Sequence, residues 1–303
     1  MTDYIIESQG LTKCFGTKTA LFDFNLAIPR GGIHAFIGAN GAGKSTFFRL
    51  LLGLESPTQG SCSVLGINSQ ELSPEHRGKI GYVNEEHTLP SWMTVDAVIE
   101  MQRSLYPKWQ QDTFDKVIAN FDVGLKQNVG QLSRGERAGL NLSMALAQSP
   151  EVLILDEPTL GLDVVAKQAF LTALMHTEMD ANCTIIYCSH QMEEVERVAD
   201  NLIIVEAGEV KYMAAPDDFC QRVNYWICDF ETKPDKVKNL QCVLSLKNIE
   251  GQIHIVTIDQ PAEHFEAYLL ANGAASVVAV PVSLDKAIGA VLAQNHRGHE
   301  LSA

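Results

Sequence analysis

Compact apolar runs and wider helical spacings alternate along this chain. Ile33, His34, Ala35, Phe36 and Ile37 form one run, and the stretch from Phe47 to Leu52 has the spacing of a helix. Residues 152–155 are apolar without interruption, the pattern of a strand buried on both faces of a parallel sheet, and 184–188 reads as another strand. From Tyr4 to about Ile80 the pattern predicts short β segments, with turns at Pro29-Arg30-Gly31-Gly32 and Ser56-Pro57-Thr58-Gln59-Gly60. Between about 88 and 135 the spacing turns helical, in Val95, Val98, Ile99, Met101 and Leu105 and again in Phe114, Val117, Ile118 and Phe121. The tail from about Cys220 predicts a small α/β unit. It holds a hairpin of 241–247 and 252–258, a helix over 261–271, a strand over 276–280 and a helix over 284–294, with 296–303 expected to fray.

Between the first strand and the first helix stand Gly38, Ala39, Asn40, Gly41, Ala42, Gly43, Lys44, Ser45 and Thr46, a complete phosphate-binding loop. Its glycines let the backbone curl with amides pointing inward, and the helix behind it adds a positive end. Lys44 is expected to reach the β- and γ-phosphates of a nucleoside triphosphate, Ser45 to hold Mg²⁺ and Thr46 to help with the α-phosphate. The buried strand over 152–155 ends in Asp156 and Glu157, at the carboxyl end where open α/β sheets bind ligands. Asp156 suits orientation of Mg²⁺, and Glu157 suits polarising the attacking water.

Composition narrows the reading. With 303 residues, 46% hydrophobic and 20% charged, the chain has the make-up of a soluble protein with one large domain and a small appendage. No stretch approaches the roughly 20 apolar residues of a membrane span, and Met1 to Tyr4 open no signal peptide, so a cytoplasmic chain is expected. A formal charge of −14 opposes attraction to phosphate backbones and argues against nucleic acid as partner. The seven cysteines include no Cys-x-x-Cys pair and no matching histidine spacing, and are read as reduced packing residues.

Five segments in order carry a resemblance: the phosphate loop, Leu132-Ser133-Arg134-Gly135-Glu136, the strand ending in Asp156 and Glu157, Gly161-Leu162-Asp163, and Ser189-His190. Over residues 1 to about 215 the chain resembles the ATP-binding cassette (ABC) ATPases. The resemblance implies an α/β fold: a P-loop ABC ATPase domain over 1–219, with a mixed sheet core and a helical subdomain at about 88–135, then a small C-terminal α/β domain over 220–303. It implies that Ser133, Gly135 and Glu136 meet the γ-phosphate held by a second ATPase subunit, in a homodimer or a heterodimer. Asp163 would couple the two sites, His190 would contact the γ-phosphate as a switch, and Phe15 would be the platform for adenine.

Two departures from the family pattern stand out. Glu85, after Gly81-Tyr82-Val83-Asn84, replaces the commoner Gln and would face Mg²⁺ and the γ-phosphate, with Glu86 an alternative if the loop shifts register. Arg134 and Glu136 stand where Gly and Gln are commonest. The C-terminal extension resembles that of ATPases serving type-2 exporters. The whole implies an ATPase subunit, binding ATP with Mg²⁺, that powers separate membrane permease subunits for export from the cytoplasmic face. A soluble, non-transport ABC ATPase acting as a regulatory switch is the alternative. The family's helical subdomain receives a coupling helix of the permease in a groove; Trp92, Tyr106 and Trp109 lie in that region and are given no role, since aromatics on such helices are more often core.

Overall fold

The computed structural model describes residues 3–176, 183–231 and 234–293. The chain divides into two compact units, one up to Met213 and one from Ala214. The expected helix end at Gln294 and the frayed segment 296–303 lie outside the described residues.

The first unit begins with two long strands, β1 (Tyr4–Phe15) and β2 (Lys18–Pro29), then β3 (Ile33–Ile37), α1 (Lys44–Leu51), β4 (Gln59–Val64), β5 (Ile67–Asn68), α2 (Pro74–Arg77) and β6 (Ile80–Val83). A helical stretch follows, with α3 (Val95–Leu105), α4 (Gln111–Ile118) and α5 (Arg134–Ala147). Alternation then returns: β7 (Val152–Asp156), α6 (Val164–His176), β8 (Thr184–Cys188), α7 (Met192–Val198), β9 (Asn201–Glu206) and β10 (Glu209–Ala214). One sheet has the order β2-β1-β4-β5 and is antiparallel; the other has the order β10-β9-β3-β8-β7-β6, its inner pairs parallel.

Register decides where the chemistry can sit. Phe36 pairs with Cys188 and Cys188 with Asp156, while Leu155 pairs with Val83. The carboxyl ends of β3, β8, β7 and β6 are therefore level, and the loops leaving them open on one edge.

The unbroken apolar runs follow from burial on both faces. Val152, Ile154, Ile186, Ile203 and Phe36 enter one core, with Phe47 and Phe48 of α1, while Leu153, Leu155, Ile185 and Tyr187 enter another with α6. In the first core Phe36 and Phe47 stack with centroids 5.5 Å apart and planes 8° apart. The helical stretch has a third core of Val95, Val98, Ile99, Phe114, Leu140 and Met144. α5 serves two of these cores from two stripes at helical spacing: Ala138, Leu142, Ala145 and Leu146 face the strands, and Leu140, Met144 and Ala147 face α3 and α4.

Part of the helical pattern differs from its expected use. Met101 and Leu105 are exposed, because α3 packs only along its first half, and Trp92 is 80% exposed rather than core. Trp109 is half-buried and packs on Phe114, centroids 5.6 Å apart.

The second unit contains α8 (Pro216–Arg222), β11 (Val223–Phe230), α9 (Asp235–Lys238), β12 (Val243–Ile249), β13 (Gln252–Ile258), α10 (Ala262–Ala271), β14 (Ala274–Val280) and α11 (Leu284–Ala293). Its antiparallel sheet has the order β12-β13-β11-β14. The predicted hairpin closes as Ile249 pairs with Gln252, with Glu250 at φ +52° and Gly251 at φ +91°, the handedness a tight two-residue turn requires. The sequence pattern missed β11, which occupies the sheet's interior. Its Trp226 is fully buried against Phe265 of α10, and the indole N–H donates to Thr257 Oγ1 at 3.1 Å.

A candidate nucleotide site at the ends of the parallel strands

The phosphate loop runs from the end of β3 into α1. An added Cβ would stand 2.4 Å from the Val205 carbonyl at Gly38 and 2.6 Å from the Ala20 carbonyl at Gly43, so both positions need the missing side chain. Gly41 has open space around it and needs glycine for its φ of +86° instead. No side chain among the described residues caps the first turn of α1, which leaves its amides for an anion. Lys44 is buried and folds back over the loop, donating to the carbonyls of Gly38 at 2.6 Å and Ala39 at 3.3 Å.

Asp156 is buried at the end of β7, beside Ser45 of α1. Burial raises its pKa above the usual carboxylate range, opposed by Ser45 and Lys44 and aided by the charge of Glu85. Ser45, Asp156 and Glu85 together offer hard oxygen donors beside the phosphate loop, a set that fits Mg²⁺. A cleft of about 500 Å³ gathers Phe15, Asn40, Gly41, Gly43, Lys44, Ser45, Thr46, Glu85, Glu86, Asp156 and Glu157. Phe15 is 47% exposed at the end of β1, which is inconsistent with a core role and leaves a ring face to stack on. Glu85 and Glu86 both line the cleft, and Glu85 is the one whose charge acts on Asp156.

Among the lining residues given no site role in the sequence reading are Lys18, Arg49 and Tyr82. Lys18 starts β2, Arg49 is on α1 and Tyr82 is on β6, so only the sheet order unites them. Tyr82 is pushed up to about 12 by burial first and by the neighbouring Asp156 carboxylate second.

Glu157 follows β7 with a left-handed φ of +50°, uncommon for a residue with a side chain. Its N–H donates to the Cys188 carbonyl at 2.9 Å, and its carboxylate lies 2.8 Å from Nδ1 of His190. Next to it, the Pro158 carbonyl accepts from Nε2–H of His87 at 2.8 Å. His87 is fully buried, its Nδ1 has no partner among the described residues, and burial pushes its pKa down to about 4.

Ser133, Gly135 and Glu136 do not line this cleft. They open α5 as a reciprocal cap: Ser133 Oγ accepts from the Glu136 N–H at 3.2 Å, and Glu136 Oε2 accepts from the Ser133 N–H at 2.6 Å. Glu136 at this position thus closes the cap. Arg134 donates to the Glu85 carbonyl at 3.0 Å and lies beside Gly161, where an added Cβ would stand 3.0 Å from its guanidinium carbon. Asp163 caps α6, its Oδ1 accepting from the Ala166 N–H at 2.9 Å. No helix among the described residues is long and apolar enough to cross a membrane.

With this geometry in place, comparison with known proteins gives the class. The family described as "ABC transporter" matches residues 21–160. The bacitracin transport ATP-binding protein BcrA of Bacillus licheniformis is 31% identical over 208 residues, covering 68% of this chain and 68% of BcrA. The sulfate/thiosulfate import ATP-binding protein CysA of Bacillus cereus is 30% identical over 223 residues, covering 70% of this chain and 62% of CysA. A solved ATP-binding subunit of an ABC transporter superposes with a TM-score of 0.64 at 26% identity, covering 72% of this chain and 92% of that one. The chain belongs to the ATP-binding proteins of ABC transporters. It has their ATPase fold, and as a member of that family it is an ATP-binding, ATP-hydrolysing subunit.

Proposed function

We propose that this chain is the nucleotide-binding subunit of an ABC exporter, hydrolysing MgATP between two such subunits to drive separate membrane permease subunits. The observation that carries the proposal is the convergence, at one edge of the parallel strands, of the Lys44 loop, the Ser45–Asp156 pair and the Glu157–His190 contact of 2.8 Å.

Phe15 stacks on adenine, and the amides of residues 38–46 with Lys44 neutralise the phosphates, Lys44 exchanging its loop carbonyls for phosphate oxygens. Ser45, Asp156 and Glu85 would hold Mg²⁺, which would offset charge on the phosphate chain. Glu157 orients water in line as base, and His190 holds the γ-phosphate. Ser133, Gly135 and Glu136 serve the site of a second subunit, and Asp163 links the two sites. Val164 and Val165, next to Asp163, are 82% and 79% exposed, a patch suited to being covered by that subunit.

Residues 88–135 meet the permease, placing the chain at the cytoplasmic face, and residues 220–303 are an accessory domain. BcrA carries a transport name and CysA an import name. Export rests on the resemblance of the C-terminal extension to that of ATPases serving type-2 exporters.

The test is purification of the tagged chain from detergent-solubilised membranes with a non-hydrolysable ATP analogue, followed by mass spectrometry. A stoichiometric multi-span protein is expected. Recovery with soluble partners only, and absence from membranes, replaces this reading with the regulatory switch.

A further inference from the structure

Behind the cleft, Glu194 of α7 is only 4% exposed, yet three hydroxyl groups converge on its carboxylate. Thr159 Oγ1 lies 2.7 and 2.9 Å from its two oxygens, the Tyr187 hydroxyl donates at 2.8 Å and Ser189 Oγ donates at 2.9 Å. Lys167 Nζ stands 3.6 Å from the same carboxylate and also donates to the Gln191 side chain. Ser189 Oγ in turn accepts from the Gln191 N–H at 3.1 Å, which fixes the turn that carries His190.

The placement of these donors in the chain gives the cluster its meaning. Thr159 lies two residues after Glu157, Ser189 immediately before His190, and Lys167 four residues after Asp163. Each tether holds a segment that bears one residue of the proposed site. Glu157 has a left-handed backbone and the His190 side chain is 51% exposed, so packing around His190 does not by itself fix their contact. A carboxylate is costly to bury unless its oxygens are satisfied, and apolar packing would fill the same space without four donors. A carboxylate accepts at both oxygens, whereas an amide in its place would turn a donor toward at least one hydroxyl.

We propose that Glu194 is a positioning residue for ATP hydrolysis, locking the loop of Glu157 to the loop of His190 and so setting their 2.8 Å contact. The proposal rests on the roles given to Glu157 and His190 above. Glu194 touches neither nucleotide nor water; it acts through the two loops.

The test measures turnover, ATP affinity and melting temperature of the 303-residue chain carrying Glu194→Gln, alone and combined with His190→Ala, with labelled phosphate release as the assay. Glu194→Gln is expected to lower kcat about 10-fold or more while the ATP Kd stays within about twofold, and to have little further effect once His190 is Ala. Ser189→Ala and Thr159→Val, each removing one hydroxyl, are expected to reproduce part of the loss. Wild-type kcat in Glu194→Gln overturns the proposal, as does an equal loss in the His190→Ala background. If Glu194→Gln does not fold, Ser189→Ala carries the test on the same criteria. Glu157→Gln is run alongside. If it abolishes turnover and Glu194→Gln keeps wild-type kcat, only the positioning role falls; if Glu157→Gln keeps full turnover, the site reading falls and the positioning role with it.

Discussion

Nδ1 of His190 and Oε2 of Glu157 stand 2.8 Å apart, although 33 residues separate them in the chain. The parallel pairing of β7 with β8 makes the contact: Asp156 pairs with Cys188, and the chain continues from each into one of the two residues. With Glu157 as the base, Glu157→Gln is expected to cut turnover by at least about 100-fold while leaving ATP binding intact. An ATP-bound dimer should accumulate. Phosphate release and size-exclusion chromatography with ATP check both halves, and unchanged turnover removes Glu157 from the role.

Phe15 offers a different test, because its ring is 47% exposed and Lys13 Nζ already stands 4.8 Å from its centroid. Phe15→Ala removes a stacking surface and little of the core. The ATP Kd is expected to rise about 3- to 10-fold, the equivalent of about 0.5–1.5 kcal/mol for an aromatic stack. The melting temperature should not move. Calorimetric titration with ATP decides the matter, and an unchanged Kd removes the platform role.

His87 predicts how stability depends on pH. Its folded pKa is pushed down to about 4 from 6.5, so below pH 6.5 the unfolded chain takes up a proton that the folded chain refuses. Stability is therefore full above pH 6.5 and falls between there and pH 4, by on the order of 3 kcal/mol for this group. His87→Gln removes the titrating ring while placing an amide N–H where Nε2 reaches the Pro158 carbonyl, and should flatten that part of the profile. Denaturant melts of both forms at pH 7 and pH 5 measure the difference, and equal slopes refute it.

Gly139 inverts an ordinary expectation. Gly to Ala inside a helix normally stabilises by about 1 kcal/mol, but here an added Cβ would stand 2.2 Å from Cγ of Phe121. Overpacking of about 1–3 kcal/mol should outweigh the helix gain and lower Tm by a few degrees. A rise in Tm for Gly139→Ala, read by scanning calorimetry, would show that the Phe121 ring gives way at little cost.

What the sequence revealed, and what it hid, follows from the range of the interactions. β3, β7 and β8 were legible because burial on both faces leaves an unbroken apolar run, and the phosphate loop because its backbone conformation demands glycine at fixed positions. Lys18, Arg49 and Tyr82 were not read as lining the cleft, since their neighbourhood exists only through strand order. β11 was missed because Asn224 and Asp229 interrupt its pattern, while burial falls on Val223, Trp226 and Cys228. Glu194 carries no signal in the sequence, because its burial depends on Tyr187 and Thr159, which reach it from two other segments.

α5 is a single rod clamped by two separate cores, one through Ala138 and Leu142 and the other through Leu140 and Met144. A rod gripped along both flanks cannot bend at one without disturbing the other, so it behaves as an axle. Any swing of the helical stretch against the strands must turn the whole axle, and the Ser133–Glu136 cap at its start travels with it. Displacements of residues 95–118 thereby become displacements of the α5 tip, with no need for a wire of contacts through the strand layer.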